Sequence, residues 1–130
     1  MSGLLDAPAD VMRFYVRGVI YRAACEDIIY MESQNRCVQV HTREREIFVP
    51  YLKLCECMEK AGGHFVQCHR SILVNPKYIH EIQLSKKRII LREGRGELMI
   101  GRKYVQDLRR IFDVGGISQY TEKDIEKNGA

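Results

Sequence analysis

The chain has 130 residues, 45% hydrophobic and 29% charged, with a net charge of +4. That length and balance describe one globular domain with a modest core and exclude a disordered chain. No apolar run approaches the ~20 residues of a membrane span, and the first ten residues have neither a basic start nor a long apolar stretch, so no membrane association or secretory signal is expected and the location is read as cytoplasmic.

Residues 1–11 carry Gly3, Pro8 and small side chains and read as a loose lead-in. From Met12 the chain turns aromatic and β-branched, and Gly18 suits the turn of a first hairpin. Cys25-Glu26-Asp27 is a short polar break before Ile28, Ile29, Tyr30 and Met31, a buried strand pattern. Residues 32–36 are a polar turn in which Asn35 suits a positive φ. Residues 37–42 alternate, with Val38 and Val40 on one face and Cys37, Gln39 and His41 on the other, as in a half-buried strand. After a charged turn at residues 43–46, Ile47-Phe48-Val49 reads as a returning strand.

Pro50 is expected to open a helix, with Leu52, Cys55, Met58 and Glu59 at helical spacing and Gly62-Gly63 ending it. Two apolar runs, Phe65-Val66 and Ile72-Leu73-Val74, then flank Cys68, His69, Arg70 and Ser71, which reads as a strand pair around a polar turn. Asn75-Pro76 punctuates, and Tyr78, Ile79, Ile82 and Leu84 resume the apolar pattern. Ser85-Lys86-Lys87 forms a basic turn, residues 88–91 a strand, residues 93–96 a Gly-rich turn and residues 97–100 a last strand. Residues 102–112 have helical spacing, and residues 113–130 are a polar tail. The fold class is mainly β, short antiparallel strands with one or two short helices, in one domain over residues 12–112.

The charge is unevenly distributed. Residues 1–66 hold 8 Lys/Arg against 9 Asp/Glu, residues 67–110 hold 11 against 4, and residues 111–130 hold 2 against 4. A basic field confined to one half suits a polyanion partner, or equally a solvated basic face. The five cysteines, an odd number at irregular spacing, read as reduced thiols rather than a disulfide framework. Cys55 and Cys57 fall about 200° apart around a helix axis, and Cys68, His69 and His64 lack zinc-site spacing. No metal or other cofactor is expected. Catalysis finds no phosphate-binding loop or nucleophile motif, and Cys68 and His69 should point to opposite faces of a strand, so no enzyme is expected.

Three polar clusters border apolar strands: Asn35-Arg36, His69-Arg70-Ser71 and Arg102-Lys103. Arg pairs bidentately with guanine and Asn with adenine in a major groove, and Arg, Lys and small polar groups reach phosphates. Lys86 and Lys87 join them as phosphate candidates by charge and turn placement. Structural roles compete at several positions. His69 is weighed toward a hydrogen-bonded structural residue, Ser71 toward capping its own turn, and Asn75-Pro76 toward a turn device.

The same segments carry a family likeness. His69-Arg70-Ser71, then Val74-Asn75 and Tyr78-Ile79, resembles the core signature of the LytTR DNA-binding domain family. Asp27-Ile28-Ile29-Tyr30-Met31-Glu32-Ser33 resembles its opening strand, residues 48–58 its short helical stretch, and Ile100-Gly101-Arg102-Lys103-Tyr104 its closing segment. The four run in the right order from about Met12 to Phe112. The resemblance implies a compact β fold whose loops enter successive major grooves of promoter DNA. It puts Asn35, Arg70 and Arg102 on the family's contact positions, with Arg36, His69, Ser71 and Lys103 beside them. It also implies a bacterial transcriptional regulator, usually with two protomers as a homodimer on tandem short repeats of double-stranded DNA. Regulators of this kind commonly carry a receiver or sensor region ahead of the domain. Here about ten residues precede the first expected strand, which suits a stand-alone domain or a fragment.

The main rival is a protein-interaction module that pairs with or antagonises another regulator. If the positive residues share one exposed face, DNA is favoured; if an exposed apolar patch dominates, interaction is favoured. Single-stranded nucleic acid binding would want exposed aromatics on a sheet face, for which Phe14, Tyr15 and Tyr21 are the candidates.

Overall fold

The computed structural model describes residues 10–113; the expected lead-in and tail lie, apart from Asp10, Val11 and Asp113, outside the described residues. The architecture is mainly β, as expected. A first hairpin pairs β1 (Val11–Val16) with β2 (Val19–Ala24) through Arg17-Gly18, both at positive φ (49° and 83°). Positive φ at both central residues gives the turn a twist that matches its strands, and Gly18 adopts it without a steric cost. A 3₁₀ turn, Cys25–Asp27, leads into β3 (Ile28–Gln34), then β4 (Cys37–Thr42) and β5 (Glu46–Pro50). Helix α1 (Leu54–Ala61) follows, then β6 (Val66–His69) and β7 (Ile72–Val74). After a 3₁₀ turn at Pro76–Tyr78 come β8 (Ile79–Gln83), β9 (Arg88–Leu91) and β10 (Glu97–Met99). A last 3₁₀ turn, Arg102–Tyr104, runs into α2 (Val105–Phe112).

The strands form a five-stranded antiparallel sheet ordered β5-β4-β3-β7-β6, a three-stranded sheet ordered β10-β9-β8, and the separate β1-β2 hairpin. The five-stranded sheet separates two cores. On one side Met31, Val38, Val40 and Leu73 meet Met12 and Phe14 of the hairpin and Leu54, Cys57 and Ala61 of α1. On the other, Ile29, Cys68, Ile72 and Val74 meet Ile89, Leu91, Leu98 and Leu108. Strand β7 is covered on both faces, which is why Ile72-Leu73-Val74 is a continuous apolar run rather than an alternating one. Strand β4 keeps its alternation because its other face is less covered.

One expectation fails locally. Pro50 does not open a helix; it is the last residue of β5, opposite Cys37. Strand β5 lies at the sheet edge, where a missing N–H is tolerated. The helix starts four residues later, its N-cap amide at Lys53 donating to Glu56 Oε1 at 2.9 Å. The buried helix face is therefore Leu54, Cys57 and Ala61, with Cys55 exposed. Cys55 and Cys57 do diverge as expected.

Asn75 is the buried polar side chain of the described core, at 4% exposure. Its Nδ2 donates to the carbonyls of Cys25 (3.2 Å) and Ile28 (2.9 Å), and its Oδ1 accepts from the Lys77 amide at 3.0 Å. Its backbone N–H donates to Ile29 O at 2.9 Å. Tyr78 adds a hydroxyl bond to Glu26 O at 3.1 Å. Replacing Asn75 with Ala removes its donor bonds to the Cys25 and Ile28 carbonyls and its acceptor bond from the Lys77 amide, of which Cys25 O keeps the Ile28 N–H, at about 1–3 kcal/mol for each buried group left unsatisfied. We therefore expect Asn75→Ala to lower urea-unfolding stability by about 2–4 kcal/mol, and Asn75→Asp, which keeps the acceptor but loses both donors, to do no better. A loss within about 0.5 kcal/mol, the ordinary scatter of a surface change, would contradict this role.

Candidate nucleic-acid interface

The three polar clusters come together at one end of the five-stranded sheet. Asn35 and Arg36 form the two-residue turn between β3 and β4, with φ of 46° and 65°. Asn tolerates this conformation; Arg36 is held in it, its carbonyl accepting from the Tyr51 amide at 2.7 Å. Arg70 and Ser71 join β6 to β7. This turn abuts the end of β3, where the Ser33 amide donates to Ser71 O at 2.9 Å. The third cluster is brought in by the Gly101 amide, which donates to Cys68 O at 2.9 Å. Gly101 has a steric reason to lack a side chain: a Cβ there would sit 3.1 Å from Tyr104 Cδ2 and 3.6 Å from His69 Cδ2.

Within the middle turn the residues divide their work. Nδ1 of His69 accepts from the Ser71 amide at 3.1 Å and lies 2.9 Å from Ser71 Oγ. Since an amide N–H only donates, Nδ1 is an acceptor, and the neutral ring carries its proton on Nε2. Gln67 Nε2 braces the same turn by donating to His69 O at 3.2 Å. His69 and Ser71 are thus half-buried and engaged in shaping the turn, while Arg70 stands exposed. Cys68, next to His69, points the other way, into the core.

Asn35, Arg36, Arg70 and Ser71 line one shallow concavity, together with Lys53. Arg102 lines a neighbouring one with Lys86, Lys87 and Arg88, brought alongside by the Ile100 amide bonding to Lys87 O at 2.9 Å. Lys103 is exposed on the adjoining 3₁₀ turn and lines neither. Among the described residues no carboxylate pairs with Arg36, Lys53, Arg70, Arg102 or Lys103. Several arginines elsewhere are engaged: Arg43 lies 3.9 Å from Asp27, Arg45 stacks over Tyr21, and Arg95 pairs with Glu93 at 3.2 Å, whereas Arg13, Arg17 and Arg22 of the hairpin have no carboxylate partner among the described residues. The meeting turns thus carry exposed cations without a paired carboxylate among the described residues, though Glu97 also lines the Arg102 concavity. Sequence reasoning passed over Lys53 because it began the helix at Pro50; the Lys53-to-Glu56 spacing of a helix start was the available signal.

The aromatic candidates for single-stranded nucleic acid do not form a stacking face. Phe14 is buried and Tyr21 lies beneath Arg45, leaving Tyr15 exposed.

The LytTr DNA-binding domain family matches residues 18–113, about three quarters of the chain. The chain belongs to this family. A solved LytTr DNA-binding domain from Bacillus cereus superposes with a TM-score of 0.64 at 18% identity, covering 78% of this chain and 95% of the other, and so shares the fold. The transcriptional regulatory protein YpdB of Escherichia coli K12 is 33% identical over 90 residues, and the sensory transduction protein LytT of Bacillus subtilis 168 is 27% identical over 92. These alignments cover 66% and 68% of this chain but only 36% and 38% of the relatives, so the LytTR chain spans little more than a third of their length. No helix among the described residues is long and apolar enough to cross a membrane.

The site's cysteine neighbours differ sharply in environment. Burial pushes the Cys57 and Cys68 thiols up to about 12 and raises that of Cys25, while Cys55 is exposed and Cys37 half-buried. Since the thiolate is the reactive form, a disulfide-exchange reagent at pH 8 should label Cys55 first and Cys37 more slowly. Cys25, Cys57 and Cys68 should react only on unfolding. Mass mapping of the labelled peptides checks the order.

Proposed function

We propose that this LytTR domain binds double-stranded promoter DNA sequence-specifically, as the DNA-reading part of a bacterial transcriptional regulator acting in the cytoplasm. Arg70 and Arg102 are the base readers or close phosphate clamps, and Asn35 and Arg36 contact an adjoining stretch of the same groove face. Lys103, Lys86 and Lys87 hold phosphates. His69 and Ser71 act mainly by fixing the turn that presents Arg70.

The observation that carries this reading is the convergence of three turns on one sheet end, tied by the Ser33–Ser71 and Cys68–Gly101 backbone bonds. Turns held to a sheet at fixed separation present donors at fixed separation, which is what reading successive grooves requires. Two protomers on tandem repeats, with some bending of the duplex, fit the small footprint of one domain. The bending energy is offset by the contacts it brings into reach.

A second reading has its own observation. Tyr15 and Ile20, directly opposite each other on the β1-β2 hairpin, are 69% and 65% exposed. Contiguous exposed apolar side chains suit contact with another protein. On this reading the domain pairs with a second regulator through the hairpin.

Fluorescence anisotropy on random-sequence duplex DNA at several salt concentrations separates the two. Binding should weaken steeply with salt, and Arg70→Ala and Arg102→Ala should each cost about 1–3 kcal/mol on a selected operator. No binding by the wild type at low salt, with the variants folded and indistinguishable from it, would rule out the DNA reading and leave the hairpin.

A further inference from the structure

Tyr51 stands out beside the first turn. It is 82% exposed and sits at a φ of 62°, in the left-handed region that bulky side chains avoid. Its strain is imposed by its neighbours. The preceding Pro50 pairs with Cys37, the Tyr51 amide is bonded to Arg36 O, and the following Leu52 is packed against the core. With Leu52 turned inward, exposed Tyr51 and Lys53 flank it on the outside. Glycine would occupy this backbone without strain, and at this exposure the Tyr51 ring adds little to the packing. These neighbouring contacts account for the backbone conformation but not for an exposed aromatic at a position where glycine would carry no strain.

We propose that Tyr51 and Lys53, with Arg36 shared from the first turn, form a subsite for one nucleotide of the DNA backbone at the edge of the groove-reading face. The Lys53 ammonium and Arg36 guanidinium hold a phosphodiester in the concavity bordered by Arg70. The Tyr51 ring packs on the adjoining deoxyribose. The inference rests on the DNA reading above and adds residues to it. The chemistry is consistent with the local charges. The nearby carboxylate, Glu56, is already engaged by the Lys53 amide at 2.9 Å. An aromatic face meets a sugar through apolar contact, and the phosphate supplies the charge. The Tyr51 amide bond to Arg36 O couples the first turn to the proposed backbone clamp, so both are set at one spacing.

Three variants of the whole chain test this on a selected operator duplex, with unfolding followed in parallel. Tyr51→Gly relieves the backbone and should unfold at a urea midpoint equal to or above wild type, yet bind the duplex about tenfold more weakly. Tyr51→Phe keeps the ring and should bind as wild type. Lys53→Met should weaken binding to all duplexes alike and reduce the slope of log K against log salt by about one. A folded Tyr51→Gly protein with wild-type affinity, or a Lys53→Met protein with an unchanged salt slope, overturns the subsite while the groove reading stands. A wild type that binds no duplex overturns both.

Discussion

The Asn75 carboxamide is the joint on which the rest depends. It sits where β7 leaves the five-stranded sheet, and it reaches back fifty residues to the Cys25 carbonyl and forty-seven to that of Ile28. Those carbonyls belong to the turn that ends the first hairpin and opens β3. One side chain thus links the segment that builds the first core to the segment that builds the second. Apolar burial contributes most of the stability, but it is non-directional. A buried amide with both donors and its acceptor satisfied admits one arrangement of its partners, so it supplies register where packing alone would allow slippage.

That register matters at the other end of the same strands. Strand β3 pairs with β7 through Tyr30–Val74, Met31–Leu73 and Glu32–Ile72. A shift by one residue would turn Leu73 away from the hairpin side and move the Arg70 turn along the Asn35 turn. The spacing of the two exposed arginine-bearing turns is thus set by the ladder between them, and the ladder is anchored by Asn75. His69 and Ser71 continue the same logic on a smaller scale, spending their polar groups on the shape of the turn.

Charge is arranged by the same economy. Arg43, Arg45 and Arg95, distant from the meeting turns, are occupied with Asp27, an aromatic ring and Glu93, while Arg13, Arg17 and Arg22 of the hairpin have no carboxylate partner among the described residues. Those at the turns stay exposed and without a carboxylate partner among the described residues. A surface with uncompensated charge costs little in water and becomes productive when a polyanion displaces its counterions. Exposed apolar side chains are spread over several elements: Tyr15 and Ile20 on the hairpin, Phe48 on β5, Tyr51 beside the first turn and Met99 in the concavity that Arg102 lines.

Much of this was written into the chain locally. Hairpins and their turns depend on residues a few positions apart, so Gly18, the alternation of Val38 and Val40, and Asn35 were legible, as was the His69-Arg70-Ser71 signature that placed the family. The mainly β class and the order of the strands followed from the same signals. Pro50 misled because a proline that starts a helix and one that ends an edge strand look alike until the partner strand is known. Asn75 is the turn device it read as, its Oδ1 capping the Lys77 amide, but its second role was illegible because its carbonyl partners lie about fifty residues away. Tyr51 gave no signal at all, since its conformation comes from the Arg36 carbonyl and the anchored Leu52. The sequence by itself determined the elements, the turns and the kinds of side chain they carry. Only the tertiary structure decided which turns meet, which cations lack partners and which residues are strained, because non-local pairing sets those properties and no short window of sequence contains it.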